Sequence, residues 1–129
     1  MSPERPDLAS EWDRCAPWLQ GALARDPTHS LDDVRALCES SPGRFQFWPG
    51  ARGACVTQII DQPQFRELHI WLAGGDLGEL AESHACVEAF AKAAGCKRIT
   101  SFVRPGLVRA LAQLDYEPLY VAVAKELYP

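Results

Sequence analysis

The chain has 129 residues, 47% of them hydrophobic and 23% charged, with a formal net charge of −4. That length and composition suit one globular domain with a hydrophobic core and exclude a disordered chain. The acidic balance argues against nucleic acid as a main partner, and no apolar run approaches the roughly 20 residues of a membrane-spanning helix.

Residues 1–10 are polar, carry two prolines and read as a lead-in rather than a signal peptide, leaving a single domain over residues 11–129. Ser10 to Arg25 reads as a helix, because Trp12, Cys15, Trp18, Leu19, Ala22 and Leu23 recur at helical spacing. Pro17 predicts a kink or a fresh start there, and Asp26-Pro27 ends the segment. Ser30 opens a second helix; with Asp33 it has the spacing of a capping box. Leu31, Val34, Leu37 and Cys38 form its apolar face, and the turn residues from Ser40 to Gly43 close it.

Arg44–Trp48 alternates and reads as a strand stopped by Pro49-Gly50. Ala54–Ile60 is a second strand, completing a hairpin. Phe65–Leu72 is a third, with Leu68, Ile70 and Leu72 on one face and Glu67, His69 and Trp71 on the other. Gly74 and Gly75 are expected to break that strand. Asp76 then caps a long helix over about residues 77–94, whose buried stripe is Leu77, Leu80, Ala81, Val87, Ala91 and Ala94. His84 lies on that stripe four residues before Glu88 and reads as a hydrogen-bonded core or interface histidine. Gly95 suits a left-handed cap.

Arg98–Val103 is the next strand, Pro105 starts a short helix ending near Leu114, and Leu119–Leu127 reads as a last strand. The strand–helix–strand unit over residues 65–103 predicts a right-handed crossover with parallel strands. The fold class is therefore α/β: one domain, a mixed twisted sheet and helices on both faces. Val56 or Cys55, Leu68, Ile70, Ile99 and Val121 are expected in its cores.

Five widely spaced cysteines (Cys15, Cys38, Cys55, Cys86 and Cys96), with no CxxC pair, argue against a disulfide framework and a zinc site. Each sits in an apolar segment and reads as a small buried hydrophobe. Lys97, Arg98, Arg104 and Arg109 cluster around one strand, either as a solvated rim or as a patch for an acidic partner or a phosphate.

The order from Phe65 onward (strand, glycine loop, long helix, strand, helix, strand) resembles the second half of GNAT-type, acetyl-CoA-dependent acetyltransferases. The stretches THSLDDV, RFQFWPG and IWLAGGDLGEL are also similar to small GNAT-like proteins of tailed phages and prophages. The resemblance implies that the loop Ala73–Gly78 stands where the family's Gln/Arg-x-x-Gly-x-Gly/Ala loop holds the CoA pyrophosphate on a helix N-terminus. Gly74, Gly75 and Gly78 are then the candidate cofactor-binding residues, but only Gly78 matches a family glycine. Ala73 replaces the basic or amide residue, and Asp76 the other glycine. Asp76 and Glu79 put negative charge where phosphates would sit. Leu111 falls where the family's proton-donating tyrosine stands; Tyr116 and Tyr120 are possible substitutes.

Glu67 is the candidate general base and His69 the second, if the chain is active; the other reading is a solvated Glu and a partly buried His. The resemblance therefore leads to two expectations. The first is a GNAT-fold protein with a degenerate acetyl-CoA site, a structural or interaction component of a phage particle or its assembly. It would have no cofactor, reside in the host cytoplasm or virion, and have a protein partner or associate with itself. The second is an N-acetyltransferase that uses acetyl-CoA on an amine.

Overall fold

The computed structural model describes residues 5–128. The elements are α1 (Arg5–Leu23), α2 (Leu31–Ser40), β1 (Phe45–Pro49), β2 (Gly53–Asp61), β3 (Arg66–Gly75), α3 (Leu77–Ala93), β4 (Cys96–Ser101), a 3₁₀ turn (Pro105–Leu107) and α4 (Val108–Ala112). The strands form one sheet in the order β1-β2-β3-β4. The first three are antiparallel and β3 runs parallel to β4, as the crossover through α3 requires.

One core lies between the sheet and the first two helices. Trp12, Cys15, Leu19 and Leu23 of α1 and Val34 and Cys38 of α2 pack on Phe47, Ala54, Val56 and Leu72. The other lies under α3, where Val87 and Ala91 meet Trp48, Cys55, Ile59 and Leu68. Helices thus cover both faces. Among the described residues no helix is long and apolar enough to cross a membrane.

Helix α1 begins at Arg5, so residues 5–10 of the expected lead-in are helical; residues 1–4 lie outside the described residues. Pro6 falls in the first turn, where the missing N–H costs nothing. The helix also continues through Pro17 instead of restarting there. Helix α2 has the expected box. Asp33 N donates to Ser30 Oγ at 3.1 Å, and Ser30 N donates to Asp33 Oδ2 at 2.9 Å. Ser30→Ala is expected to lower stability by about 1 kcal/mol, read as a shift in the urea midpoint.

Several expectations need correction. β3 does not stop before the glycines: Gly74 and Gly75 pair with Ala54 and Gly53 of β2. The face of β3 switches along its length. Leu68 packs under α3, whereas Leu72 packs under α1, because the register shifts by one residue at Trp71. The buried side of α3 also differs from the expected stripe. Leu77 is 57% exposed and Ala81 is exposed, while Glu79 is buried and Phe90 packs on the α3-side core. Cys15, Cys38 and Cys55 are buried as expected, but Cys86 is exposed. The expected strand Leu119–Leu127 has no regular secondary structure, and Val121, expected in the core, is 86% exposed. Strand propensity is present in that segment, but no strand among the described residues pairs with it.

Candidate functional site

The β2–β3 ladder is irregular beside Trp71. Val56 of β2 faces Leu72 and Thr57 faces Ile70, so Trp71 is an extra residue on β3. Such a bulge bends and twists its strand. On the other side of β3, pairing with β4 ends at Ile70–Ser101. β4 therefore ends level with the bulge, and β3 runs on beyond it. Trp71 is anchored on the loop after α1, with Nε1 donating to Asp26 Oδ2 at 2.9 Å and its ring packed edge-to-face with His29.

Glu67 and His69 share the face of β3 opposite Leu68, and both are buried. Glu67 is paired within the β3–β4 ladder, beside Arg98. Its Oε2 accepts from Arg98 Nε at 2.7 Å and its Oε1 from Gln62 Nε2 at 3.3 Å. Burial alone would raise this carboxyl, but the hydrogen bonds from Arg98 and Gln62 and the Arg98 charge outweigh it, so its pKa lies below the ordinary glutamate value. Glu67 is thus an ionised, arginine-held carboxylate.

His69 lies two residues nearer the end of that ladder, with Nδ1 3.0 Å from Thr100 Oγ1 and its ring against Phe102. Burial pushes its pKa down, against the pull of Glu67, which leaves a neutral imidazole at neutral pH. A group depressed in this way stabilises the fold above its ordinary pKa, and that contribution is lost as pH falls.

The loop into α3 is occupied by the chain's own groups. Asp76 Oδ1 accepts from Gly78 N at 2.8 Å and Glu79 N at 3.3 Å, closing the helix N-terminus. Its Oδ2 accepts from Arg52 Nε at 3.0 Å, and Asp76 N donates to Arg52 O at 2.9 Å. The Arg52 guanidinium and then the two amides hold Asp76 below the usual carboxylate range. Glu79 Oε2 accepts from Arg52 N at 2.8 Å, while its buried Oε1 has no hydrogen-bond partner among the described residues.

The glycines here answer to packing. A Cβ on Gly74 would run into the Trp18 carbonyl of α1. On Gly75 (φ +99°) it would lie 2.5 Å from Arg52 O. Gly78 is different: a Cβ there meets only Asp76 Oδ1, at 3.1 Å.

His84 is hydrogen-bonded as expected: Nε2 is 2.7 Å from Tyr116 Oη, and Nδ1 is 3.6 Å from Glu88. Burial raises the Tyr116 phenol to about 12. Tyr116 thus sits on α3, across the sheet from Glu67 and His69, and the three are not brought together. Arg52, Gln62 and Thr100, which partner the candidate residues, were missed by sequence reasoning. Arg52 lies 24 residues from Asp76 and Thr100 lies 31 from His69, separations that no local spacing rule spans.

Neither a family model nor a curated protein matches the chain. Solved structures do match. A Trypanosoma brucei acetyltransferase is 14% identical with a TM-score of 0.66, covering 96% of this chain and 95% of that one. A Staphylococcus aureus GNAT family acetyltransferase is 14% identical with a TM-score of 0.63, covering 96% and 94%. An aminoglycoside N-acetyltransferase in complex with CoA is 14% identical with a TM-score of 0.59, covering 84% and 85%. At these identities the likeness establishes the fold: the chain has the architecture of GNAT acetyltransferases.

Proposed function

We propose that this GNAT-fold chain is a non-catalytic structural or interaction protein whose acetyl-CoA site is degenerate. The observation that carries this reading is the Asp76 carboxylate seated on the N–H groups of Gly78 and Glu79. A pyrophosphate at this helix start would have to displace that cap and lie beside two carboxylates. The residues present do not fit the group. Two further features point the same way. Leu111 stands where the resemblance places a tyrosine acid, and leucine has no proton to give. Glu67, the candidate base, is an ionised carboxylate tied up in an ion pair with Arg98 at 2.7 Å.

The likeness of THSLDDV, RFQFWPG and IWLAGGDLGEL to phage GNAT-like proteins extends the proposal to a particle or its assembly. Acetyl transfer to an amine is the second reading. The end of β3–β4 pairing at Ile70–Ser101, with His69 beside it, favours that alternative.

Two assays test the proposal together. Incubation with acetyl-CoA and a panel of amines, followed by mass detection of acetylated products, is expected to give no transfer above the uncatalysed rate. Mass spectrometry of purified particles from the host carrying this gene is expected to find the chain in several copies. Activity on a small amine, with the chain absent from particles, would contradict the proposal.

A further inference from the structure

Strand β3 is longer than the ladder it forms with β4. It continues to Gly75, but pairing with β4 ends at Ile70–Ser101, where Ser101 Oγ donates to Ile70 O at 2.9 Å. Residues 72–75 pair with β2 on one side and with no strand on the other among the described residues. Asp76 N donates to Arg52 O, so by strand alternation Gly74 also faces β2. Ala73 and Gly75 then turn their N–H and C=O groups to the open side. An unpaired edge of this kind is a template for another strand. Residues 102–104, which follow β4, are not a strand and leave the place beside it free.

Exposed apolar side chains gather at the same end of the sheet. Among the described residues before Leu119, the large exposed ones are Leu77, Phe102 and Val103. Because β3 and β4 are parallel, residues that follow either strand lie at one end: Leu77 comes two residues after β3, and Phe102 and Val103 come directly after β4. Leu77 opens α3, which covers one face of the sheet, and Phe102 packs on His69, on the other. The edge itself carries only small residues, Ala73, Gly74 and Gly75, so another backbone can approach it closely.

Area and charge define what fits there. Four residues of edge and three apolar side chains fall short of the roughly 1,200 Å² at which standard stable interfaces begin, so the place suits one short segment and not a folded second copy. Asp76, Glu79 and Glu82 surround Arg52 at the start of α3, and Arg104 follows Val103, which leaves carboxylates in excess. The same carboxylates that exclude a pyrophosphate do not oppose an uncharged peptide backbone, but they do disfavour acidic side chains.

We propose that the open edge of β3 at Leu72–Gly75 binds a short extended segment of a partner protein as an added strand, apolar toward both faces of the sheet and free of acidic residues. Backbone hydrogen bonds to Ala73 and Gly75 supply the register, and Leu77, Phe102 and Val103 receive the side chains. The inference rests on the proposed interaction role and names the surface that carries it.

The test is selection of a random peptide display library on the full chain, followed by amide hydrogen exchange with an enriched peptide made synthetically. Enriched sequences are expected to be apolar and to lack Asp and Glu. The Ala73 and Gly75 amides should exchange fast in the free chain and at least about tenfold more slowly with the peptide. Leu77→Asp/Phe102→Asp should weaken binding at least about tenfold with the far-ultraviolet dichroism kept, because both side chains are exposed. Ala73→Pro, which removes an N–H on the open side, should do the same. No enrichment, protection at another surface, or binding that survives both variants would overturn the proposal. So would Ala73 and Gly75 amides already protected in the free chain, since the edge would then be filled without a partner. Any of these in a chain that transfers no acetyl group ends this inference and leaves the interaction role standing, whereas acetyl transfer to an amine ends that role itself.

Discussion

Gly74→Ala is expected to destabilise the chain by about 3 kcal/mol, because the new methyl group enters space held by a backbone atom. A Cβ at this position meets the Trp18 carbonyl of α1, which no rotamer change can move aside. Relief requires α1 to shift off β3, and α1 carries Trp12, Cys15, Leu19 and Leu23 into the core. Gly78→Ala provides the contrast. Its Cβ touches only the Asp76 side chain, and alanine is the better helix former, so stability should change by no more than about 1 kcal/mol. Urea denaturation of the two variants separates the roles. A loss at Gly74 and near-neutrality at Gly78 mark Gly74 as a close-approach residue of the helix–sheet contact. Equal, small effects would contradict that assignment.

Arg98→Leu is expected to cost about 2 kcal/mol at pH 7, by leaving the Glu67 carboxylate buried without its cation. Removing one partner of a fully buried pair costs about 3–5 kcal/mol; the Arg98 side chain is 41% exposed, which reduces the figure. The pH dependence has a definite sign. In the wild type Glu67 is depressed, so its contribution is present above the ordinary glutamate pKa and fades as pH falls through the folded value. In the variant burial acts with far less opposition and raises the Glu67 carboxyl, a group that then favours the fold at low pH and opposes it as pH rises. The gap between the two proteins should therefore narrow from pH 7 to pH 5. Glu67→Gln/Arg98→Leu should recover much of the loss. A gap that widens on acidification would contradict this pairing.

Much of the fold was legible because local chemistry decided it. The Ser30–Asp33 box, the Asp76 cap and Gly95 at φ +81° each depend on neighbours within a few residues. The β3–α3–β4 crossover follows from chirality. What was not legible depends on partners distant in sequence. The alternation of Leu68, Ile70 and Leu72 reads as one face, and only the register against Val56 and Thr57 places the bulge at Trp71. Gly74 and Gly75 look like a strand breaker until Gly53 and Ala54 pair with them. Leu119–Leu127 has a strand's pattern, but a pattern cannot supply a partner strand. At the candidate site, Glu67 and His69 were placed on the correct face, yet the Arg98 contact that depresses Glu67 crosses 31 residues. Glu79, which the expected buried stripe of α3 leaves out, is buried where the Arg52 backbone N–H donates to its carboxylate.

The central claim is that the α3 N-terminus is closed to a pyrophosphate by the chain's own carboxylates. Calorimetric titration of the wild-type chain with acetyl-CoA at physiological salt tests it most directly. No saturable binding in the low-micromolar range is expected, because Asp76 already holds the Gly78 and Glu79 amides and Glu79 adds a second negative group beside them. A low-micromolar dissociation constant would contradict it and restore the acetyltransferase reading.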